Sequence, residues 1–350
     1  MAKISVLGAG AYGFTWAVLL GTKYQHNDDV SVNLWVRDEK KALLLGKGHR
    51  HHKFADLNVT LPPKVDVSSK LEDVVSGSDI VLSTIPSEYL DNQLNQIKTL
   101  DFLNFINGAK GVINDKPIYM AFKEKLPKTP YGTISGPNIA RDILNNFRID
   151  LHKEDISTVS SVIALESESQ FDVKKRLEYN MHLKLYPQFG QNNILSVEYR
   201  GILKNAYAIF LGAAKNLVNS KGERMITDST YWTLLSAAVG EIKKILNFYG
   251  YESSYDGYDG IADLGVTIER GRNGRMGKLI ALEGLLAAQE KMKGQCVEGL
   301  RTVKSLYENL NGKIALPILK RTYEVLYEGK TIKDVAMQLR RTPTPNPIAP

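Results

Sequence analysis

The chain of 350 residues contains a single cysteine, Cys296. One cysteine excludes an intramolecular disulfide and any zinc site built only from cysteines, and it is typical of a reducing compartment. The sequence also lacks an apolar run of the roughly 18 residues that a membrane-spanning helix needs. Gly8 and Gly10 interrupt the first apolar stretch, so we expect no secretory signal there. These absences predict a cytoplasmic protein without a membrane span.

Composition and charge narrow the class of protein further. Apolar residues make up 43% of the chain and charged residues 24%, which argues against wholesale disorder, collagen-like repeats and coiled-coil rods. The length predicts about two domains. Lys and Arg number 45 against 38 Asp and Glu, a formal net charge of +7. This excess suits nucleic acid, an anionic membrane or a phosphorylated small molecule.

Hydrophobic periodicity divides the chain into two parts. In the first part, short apolar runs separated by helix-length segments predict strands at residues 4–7, 30–36, 79–85 and 103–107. In the second part, amphipathic stretches predict helices at residues 197–217, 228–248, 279–288, 296–310 and 317–327. We therefore predict an α/β domain with a parallel sheet over residues 1–190 and a mostly helical domain over residues 191–340. The proline-rich residues 341–350 are expected to form a flexible tail.

A glycine-rich turn follows the first predicted strand. Gly8, Gly10 and Gly13 form the pattern G-x-G-x-x-G and open a helix-like segment, which is the context that a dinucleotide-binding turn requires. Gly8 permits the tight turn, Gly10 lets the backbone approach a pyrophosphate, and Gly13 allows close packing of the helix on the strand. The helix N-terminus, with Ala11 and Tyr12, then offers N–H groups to the phosphates. The sequence therefore predicts a Rossmann-type domain that binds NAD or NADP.

The end of the second predicted strand leaves the choice of dinucleotide open. Arg37 suits the 2′-phosphate of NADP, whereas the adjacent Asp38 suits the ribose hydroxyl of NAD. Both residues are also compatible with an ordinary charged surface at the end of a strand.

Lys204 is a candidate acid–base residue on the first long predicted helix. Gly201, Ala208 and Gly212 share its face at i, i+3 and i, i+4 steps, so a ligand would approach closely. A lysine can give a proton to a carbonyl oxygen while hydride reaches the carbon. The alternative is a lysine that extends its ammonium to solvent from an ordinary amphipathic helix.

Three arginines with glycines between them form a second cluster, after Asp263 and Thr267. Arg270, Arg272 and Arg275 suit a phosphate, because guanidinium groups make bidentate hydrogen bonds to its oxygens. A basic surface turn or a nucleic-acid contact is the alternative, although the patch lacks the aromatic residues on which bases stack.

Short motifs over residues 3–338 together resemble the NAD(P)-dependent glycerol-3-phosphate dehydrogenases. They are Gly8, Gly10 and Gly13 and residues 85–87, 107–111, 135–140, 197–205, 260–273, 297–300 and 323–329. The resemblance implies a doubly wound Rossmann-type sheet that binds the dinucleotide, over residues 1–190. It implies that an all-α domain like that of 6-phosphogluconate dehydrogenase follows over residues 191–340 and binds the substrate. It also implies interconversion of dihydroxyacetone phosphate and sn-glycerol 3-phosphate with NAD or NADP, in a homodimer. We expect neither a nucleic-acid partner nor a bound metal.

The resemblance also implies roles for individual residues. The lysine that matches Lys204 donates or accepts the proton, with the matches of Lys110 and Asp263 beside it. The positions implied for substrate binding are Lys110, Asn205, Asp263, Thr267, Arg272 and Asn273. The positions implied for cofactor binding are Gly8, Gly10, Ala11, Tyr12, Gly13, Arg37, Pro86, Lys110, Ala140 and Arg272.

Other hypotheses stay open at this stage. The chain departs from the family pattern at residues 138–139, at Ile268 and over residues 144–183. The same fold and chemistry on another small phosphorylated ketose or polyol, or on a 3-hydroxy acid, is therefore an alternative. A nucleotide-binding regulator or nucleic-acid-binding protein without catalysis is a third hypothesis, which the presence of Lys204, Asp263 and Lys110 disfavours.

A group of histidines is interpreted as a surface feature. His49, His51 and His52 alternate with cations and have no acidic neighbour, so we do not expect a metal site there. We expect these histidines to lie in a mobile surface loop near the adenine end of the cofactor.

Overall fold

The computed structural model describes residues 1–150, 158–179 and 182–341, with all of their side chains except those of residues 147–150 and 339–341. Compact packing divides the chain into two units, Met1–Glu198 and Tyr199–Pro350. The predicted tail lies outside the described residues except for Arg341, as do residues 151–157 and 180–181 of the segment that departs from the family pattern. The assignment of residues 1–190 to the cofactor and of residues 191–340 to the substrate stays a prediction.

The first unit alternates strands and helices. Its strands are β1 (Ala2–Leu7), β2 (Val30–Trp35), β3 (Val65–Ser68), β4 (Ile80–Ser83), β5 (Phe105–Asn107), β6 (Val112–Ile113), β7 (Lys116–Pro117), β8 (Tyr131–Ser135), β9 (Val159–Leu165) and β10 (Leu183–Phe189). Its helices are α1 (Ala11–Lys23), α2 (Glu39–Gly46), α3 (Leu71–Val75), α4 (Ser87–Ile97), α5 (Ile118–Lys125), α6 (Ala140–Asp150) and α7 (Phe171–Leu177). A further helix, α8 (Gln191–Asn216), begins in this unit and continues into the second.

Eight of the strands form one sheet, in the order β10-β9-β8-β5-β4-β1-β2-β3. From β3 to β8 the neighbouring strands are parallel, in the strand order of a Rossmann-type doubly wound sheet. The predicted α/β architecture is thus confirmed. The sheet has one antiparallel pair, which the sequence did not predict: β9 runs antiparallel to β8, and β10 pairs parallel with β9.

The central strands are apolar at both faces, which is typical of a sheet covered by helices on both sides. The consecutive residues Val81 and Leu82 of β4 are fully buried, as are Phe105 and Ile106 of β5, so both faces of these strands are covered. Residues 13–21 of α1 are also buried throughout. This burial fixes α1 against the sheet and so fixes the glycine-rich turn between β1 and α1.

The second unit is helical, as predicted. After α8 its helices are α9 (Asp228–Phe248), α10 (Asp263–Arg270), α11 (Arg272–Glu283), α12 (Leu285–Lys291), α13 (Glu298–Leu310), α14 (Pro317–Tyr327) and α15 (Ile332–Arg341). One predicted helix, residues 279–288, is wrong: Gly284, with φ 85°, separates α11 from α12. None of the described helices is both long and apolar enough to cross a bilayer.

Glycines allow the helices of the second unit to touch backbone to backbone. A Cβ at Gly277 of α11 would lie 1.9 Å from the carbonyl oxygen of Ile209 in α8. A Cβ at Gly212 of α8 would lie 2.4 Å from the carbonyl oxygen of Gly274 in α11. The prediction that the small residues beside Lys204 admit a ligand is therefore wrong at Gly212, which admits a neighbouring helix instead.

Glu241 of α9 stabilises the beginning of α14 from inside the second unit. Its Oε1 accepts a hydrogen bond from the Ile318 amide at 2.6 Å, and its Oε2 accepts from the Leu319 amide at 3.1 Å and the Tyr207 hydroxyl at 3.0 Å. Burial raises the pKa of the Glu241 carboxyl to about 7, although these hydrogen bonds act in the opposite direction.

This carboxyl should make stability depend on pH in a defined direction. Between pH 4.5 and about 7 the folded chain keeps the proton of Glu241 and the unfolded chain has lost it. The stabilisation of the folded state by this proton is therefore complete below pH 4.5, and it is lost as the pH rises to about 7. The difference in free energy of unfolding between wild type and Glu241→Gln, from urea titrations, should fall over this range. The same difference for the exposed Glu308→Gln should stay constant, and a constant difference for both variants would contradict the assignment.

Candidate active site

In the first unit, every residue predicted to bind the cofactor follows the carboxyl end of a sheet strand. Gly8 to Gly13 follow β1, Arg37 follows β2, Pro86 follows β4, Lys110 follows β5 and Ala140 follows β8. Because these strands are parallel neighbours, their carboxyl ends lie at one edge of the sheet. This edge is where open α/β sheets bind their ligands.

The glycine-rich turn has the geometry of a phosphate-binding turn. Gly8 adopts φ 97°, and a Cβ at Gly13 would lie 1.8 Å from the Gly8 carbonyl oxygen. Gly10 is the N-cap of α1 and is exposed, and a Cβ built on it meets nothing within 4 Å. The backbone therefore presents an open cradle at the N-terminus of a helix, and this cradle fits the pyrophosphate of a dinucleotide.

The residues after β2 have separate local partners. The Asp38 carboxylate is the N-cap of α2 and accepts a hydrogen bond from the Lys41 amide at 2.8 Å. Arg37 is exposed, and its guanidinium lies 6.0 Å from the ring centroid of Tyr89. The helix cap gives Asp38 a structural role whether or not it also contacts a ribose.

A buried polar network holds the loop that carries Lys110. The Asn107 side chain donates to the carbonyl oxygen of Ala109 at 3.0 Å and accepts from its amide at 2.9 Å. The Lys110 ammonium donates to the carbonyl oxygen of Gly136 at 2.7 Å. The loop is thus fixed at both ends of the Ala109–Lys110 dipeptide, and Lys110 is held next to the turn after β8.

Glu198, a residue without a predicted role, supports the same loop. Its Oε1 accepts from the Tyr131 hydroxyl and, at 3.4 Å, from the Asn107 amide, while its Oε2 accepts from the Tyr119 backbone amide at 2.9 Å. Burial raises the pKa of the Glu198 carboxyl to about 7, against the lowering effect of these donors. No pattern in the sequence indicates these partners, because they lie on three separate elements.

The histidine group differs from the expectation. His51 is buried, with 3% of its surface exposed, and its Nε2 lies 3.1 Å from the carbonyl oxygen of Ala9. Its ring packs on Phe14 and Phe54. The interpretation of His51 as part of a mobile surface loop is therefore wrong, because aromatic packing buries it behind the glycine-rich turn. Among the described residues, no three metal-ligating side chains come together.

In the second unit, Lys204, Asp263 and Thr267 form a buried cluster. The Lys204 ammonium donates to Asp263 Oδ1 at 2.5 Å and to Thr267 Oγ1 at 2.9 Å. The Thr267 hydroxyl donates to the carbonyl oxygen of Asp263 at 2.7 Å. Lys204 is 5% exposed and Asp263 1% exposed. The alternative of a lysine that reaches solvent is therefore wrong, and the structure brings together three of the predicted residues.

A second buried ion pair lies one helical turn away and was not predicted. Arg200 of α8 donates to Asp259 Oδ2 at 2.8 Å and to the carbonyl oxygen of Glu252 at 3.1 Å. Arg200 and Lys204 are four residues apart, as are Asp259 and Asp263. That matched spacing was a signal in the sequence. The Arg200–Asp259 ion pair holds in place the segment that precedes α10, and this segment positions Asp263 at the start of that helix.

Asn205, Asn273 and Glu298 form a third group. Asn205 Nδ2 donates to Glu298 Oε2 at 2.9 Å, and Asn273 Nδ2 donates to Asn205 Oδ1 at 2.8 Å. Asn273 Oδ1 accepts from the Gly299 amide at 2.9 Å. Both predicted amides are thus held in place by α13, for which no role in the site was predicted. The adjacent Arg272 is exposed at the first position of α11.

Comparison with known proteins identifies the family. Residues 3–149 match the N-terminal part of the NAD-dependent glycerol-3-phosphate dehydrogenases, and residues 193–337 match the C-terminal part. The chain belongs to this family. It is 28% identical over 348 residues to glycerol-3-phosphate dehydrogenase (NAD(P)+) of Acinetobacter baumannii, covering 97% of this chain and 90% of that protein.

Solved structures of glycerol-3-phosphate dehydrogenases have the same fold. The enzyme of Coxiella burnetii aligns with a TM-score of 0.81 at 21% identity, over 97% of this chain and 99% of that one. The enzyme of Plasmodium falciparum aligns with a TM-score of 0.82 at 20% identity, over 99% and 96%. The predicted family, the Rossmann-type and helical architecture, and an NAD(P)-dependent dehydrogenase are therefore confirmed.

Two glycine variants should separate cofactor binding from folding in this dehydrogenase. Gly10→Ala places a methyl group in the open cradle, so the Kd for NADH or NADPH should rise at least about tenfold with the Tm unchanged. Gly13→Ala forces a methyl group against the Gly8 carbonyl and should cost about 1–3 kcal/mol of stability. Fluorescence titration with both cofactors and thermal unfolding measure the two effects. Unchanged cofactor affinity in Gly10→Ala would show that the cradle is not used.

Proposed function

We propose that this dehydrogenase interconverts dihydroxyacetone phosphate and sn-glycerol 3-phosphate, with NAD(H) or NADP(H) as cofactor. Membership of the family supports the choice of substrate. The observation that supports the proton-transfer chemistry is the buried contact of Lys204 with Asp263 and Thr267. A buried ammonium held at a fixed position suits proton transfer to a carbonyl oxygen. The bound nicotinamide supplies or accepts the hydride.

Lys204 acts as the general acid in ketone reduction and as the general base in alcohol oxidation. Asp263 orients the ammonium and keeps its charge compensated inside the unit, since a buried charge without a partner is strongly disfavoured. Thr267 receives a second N–H of the same ammonium, so two side chains of α10 hold the Lys204 ammonium in place. The direction in which the ammonium points is thus set by two bonds made before substrate arrives.

The start of α11 binds the phosphate of the substrate. Arg272 and Asn273 are the first two residues of this helix, where backbone N–H groups and the helix dipole favour an anion. Arg272 is exposed and supplies the bidentate fork, while Asn273 is oriented by Asn205 and Gly299. Asn205 completes this group through Glu298.

The first unit binds the dinucleotide. Gly8, Gly10, Gly13 and the N-terminal residues of α1 receive the pyrophosphate, and Arg37 and Pro86 line the same edge of the sheet. Ala140 begins α6 at that edge, and Lys110 contributes a second ammonium that is fixed by Gly136. The family pattern supports a contact of Lys110 with both ligands. We therefore assign cofactor binding to residues 1–190 and substrate binding to residues 191–340.

We assign the protein to the cytoplasm and expect it to form a homodimer. The family pattern and the single cysteine support these assignments. In the second unit, Leu286 is 83% exposed and Trp232 63% exposed. Large apolar side chains at such exposure are compatible with a surface that a second copy covers.

The acid–base role of Lys204 predicts a large kinetic effect. Lys204→Met should lower kcat for reduction of dihydroxyacetone phosphate by about 10²- to 10⁴-fold, because the proton donor is lost. Oxidation of NADH and NADPH is followed by absorbance, and cofactor binding by fluorescence confirms that the variant is folded. The exposed Lys320→Met is the control and should keep wild-type turnover. Wild-type rates in Lys204→Met would overturn the assignment, and no turnover in wild type would reject this substrate.

The phosphate role of Arg272 predicts a change in specificity. Arg272→Ala should lower kcat/KM for dihydroxyacetone phosphate by about 10- to 100-fold, because a charged hydrogen bond is worth about 1.5–3 kcal/mol. The rate with dihydroxyacetone, which has no phosphate, should change little. Arg301→Ala removes an exposed arginine from α13 and should affect neither substrate. An equal loss on both substrates would mean that Arg272 acts on something other than the phosphate.

A further inference from the structure

A half-open cavity of about 460 Å³ lies at the surface of the second unit, and none of the side chains that line it has a role in the proposed reaction. Its walls come from the ends of α8 and α10 and from the first two turns of α11. The lining residues are Lys215, Asn216, Ile268, Glu269, Arg270, Gly271, Gly274, Arg275, Lys278 and Leu279. Four of these side chains are cationic and one is acidic. The volume lies in the range of small-molecule sites, about 300–1,000 Å³.

Two of the four cations have a structural explanation. Lys215 lies in the last turn of α8 and forms an ion pair with Glu269. Arg270 is the last residue of α10. Cations at these positions offset the partial negative charge of the helix C-termini that face the cavity.

The other two cations, Arg275 and Lys278, lie on α11 at positions where a positive charge is unfavourable. With Arg272 they form a row at i, i+3 spacing over the first two turns of α11, and the first turn of this helix has no acidic residue. Arg272 and Arg275 lie in the first turn, where the helix dipole disfavours cations, and like charges at i, i+3 repel one another along the row up to Lys278. Within the described part of the chain, neither Arg275 nor Lys278 forms an ion pair, whereas Glu283 near the other end of α11 pairs with Lys291.

We propose that this cavity is a second anion site, which binds a small molecule with two or more phosphate groups. Arg275 offers a bidentate fork to one phosphate, and Lys278 offers a point charge to a second group one helical turn further on. Ile268 and Leu279 supply apolar wall for an uncharged part of the ligand. When the anion binds, its negative charge neutralises the row of cations, which has no acidic partner on α11.

A nucleic acid is the less suitable occupant. The lining contains no aromatic side chain on which a base could stack, and the positive charge is confined to one short row in a concave site. The ligand is also distinct from the substrate phosphate, which the proposed function assigns to Arg272. Arg272 belongs to the same row of cations but does not line the cavity.

The test uses the full-length enzyme and sodium tripolyphosphate as the probe, titrated by calorimetry with excess NADH so that the dinucleotide turn stays occupied. The variant Arg275→Ser/Lys278→Ser removes the two uncompensated cations. The control Arg301→Ser/Lys304→Ser removes two exposed cations at the same i, i+3 spacing on α13. Tripolyphosphate affinity should fall at least tenfold in the cavity variant and change less than twofold in the control.

Thermal unfolding supplies an independent readout. Without tripolyphosphate, the cavity variant should have a Tm equal to or above that of wild type, because a row of like charges is removed. With tripolyphosphate, the Tm should rise for wild type and for the control but not for the cavity variant. Unchanged affinity in the cavity variant would overturn the proposal. An equal loss of tripolyphosphate affinity in both variants would overturn the proposal as well. Such a result would show that tripolyphosphate is attracted only by the net charge of the protein.

Discussion

The burial of the Lys204 ammonium is the constraint around which the helical unit is arranged. Removing a charged amine from water costs on the order of several kcal/mol, and only close anionic or polar partners offset that cost. Asp263 and Thr267 are such partners, at 2.5 and 2.9 Å. The requirement that all three side chains meet inside the unit fixes α8 against α10.

The helix packing in this unit follows from the same requirement. α10 begins at Asp263, directly after a tight segment in which a Cβ at Gly260 would lie 2.2 Å from the Tyr255 carbonyl oxygen. The Arg200–Asp259 pair holds this segment one turn before the Lys204–Asp263 pair. Two ion pairs at matched spacing resist sliding of one element along the other, because a shift by one turn would leave a buried charge without its partner.

The sequence predicted the parts of this arrangement that depend on local patterns. The helices 228–248 and 317–327 and the glycine-rich turn follow from periodicity and from the position of Gly8, Gly10 and Gly13 after a strand. It did not predict the antiparallel edge of β9, because strand direction depends on pairing between distant segments. Glu198 and Glu298 were missed for a similar reason, since their partners lie on other elements. His51 was misjudged because its neighbours in sequence are charged, whereas its neighbours in space are aromatic.

Both units contain a buried carboxylate with the same set of partners. Glu198 binds the backbone amides at the start of α5, which follows Pro117, and Glu241 binds those at the start of α14, which begins with Pro317. A tyrosine hydroxyl, from Tyr131 or Tyr207, donates to each carboxyl. Proline suits the beginning of a helix, and the amides that follow need an acceptor.

This shared arrangement makes the stability of both units depend on pH in the same direction. Burial raises the pKa of both carboxyls to about 7, so each unit binds a proton more tightly when folded than when unfolded. Above about pH 7 both carboxylates are charged, and the helix N-termini and tyrosines must then stabilise them without water. Each carboxylate accepts backbone hydrogen bonds at the positive end of a helix, which is the environment that best tolerates such a charge. The two carboxyls therefore hold their helices in place on both sides of neutrality, although they stabilise the fold less once they are ionised.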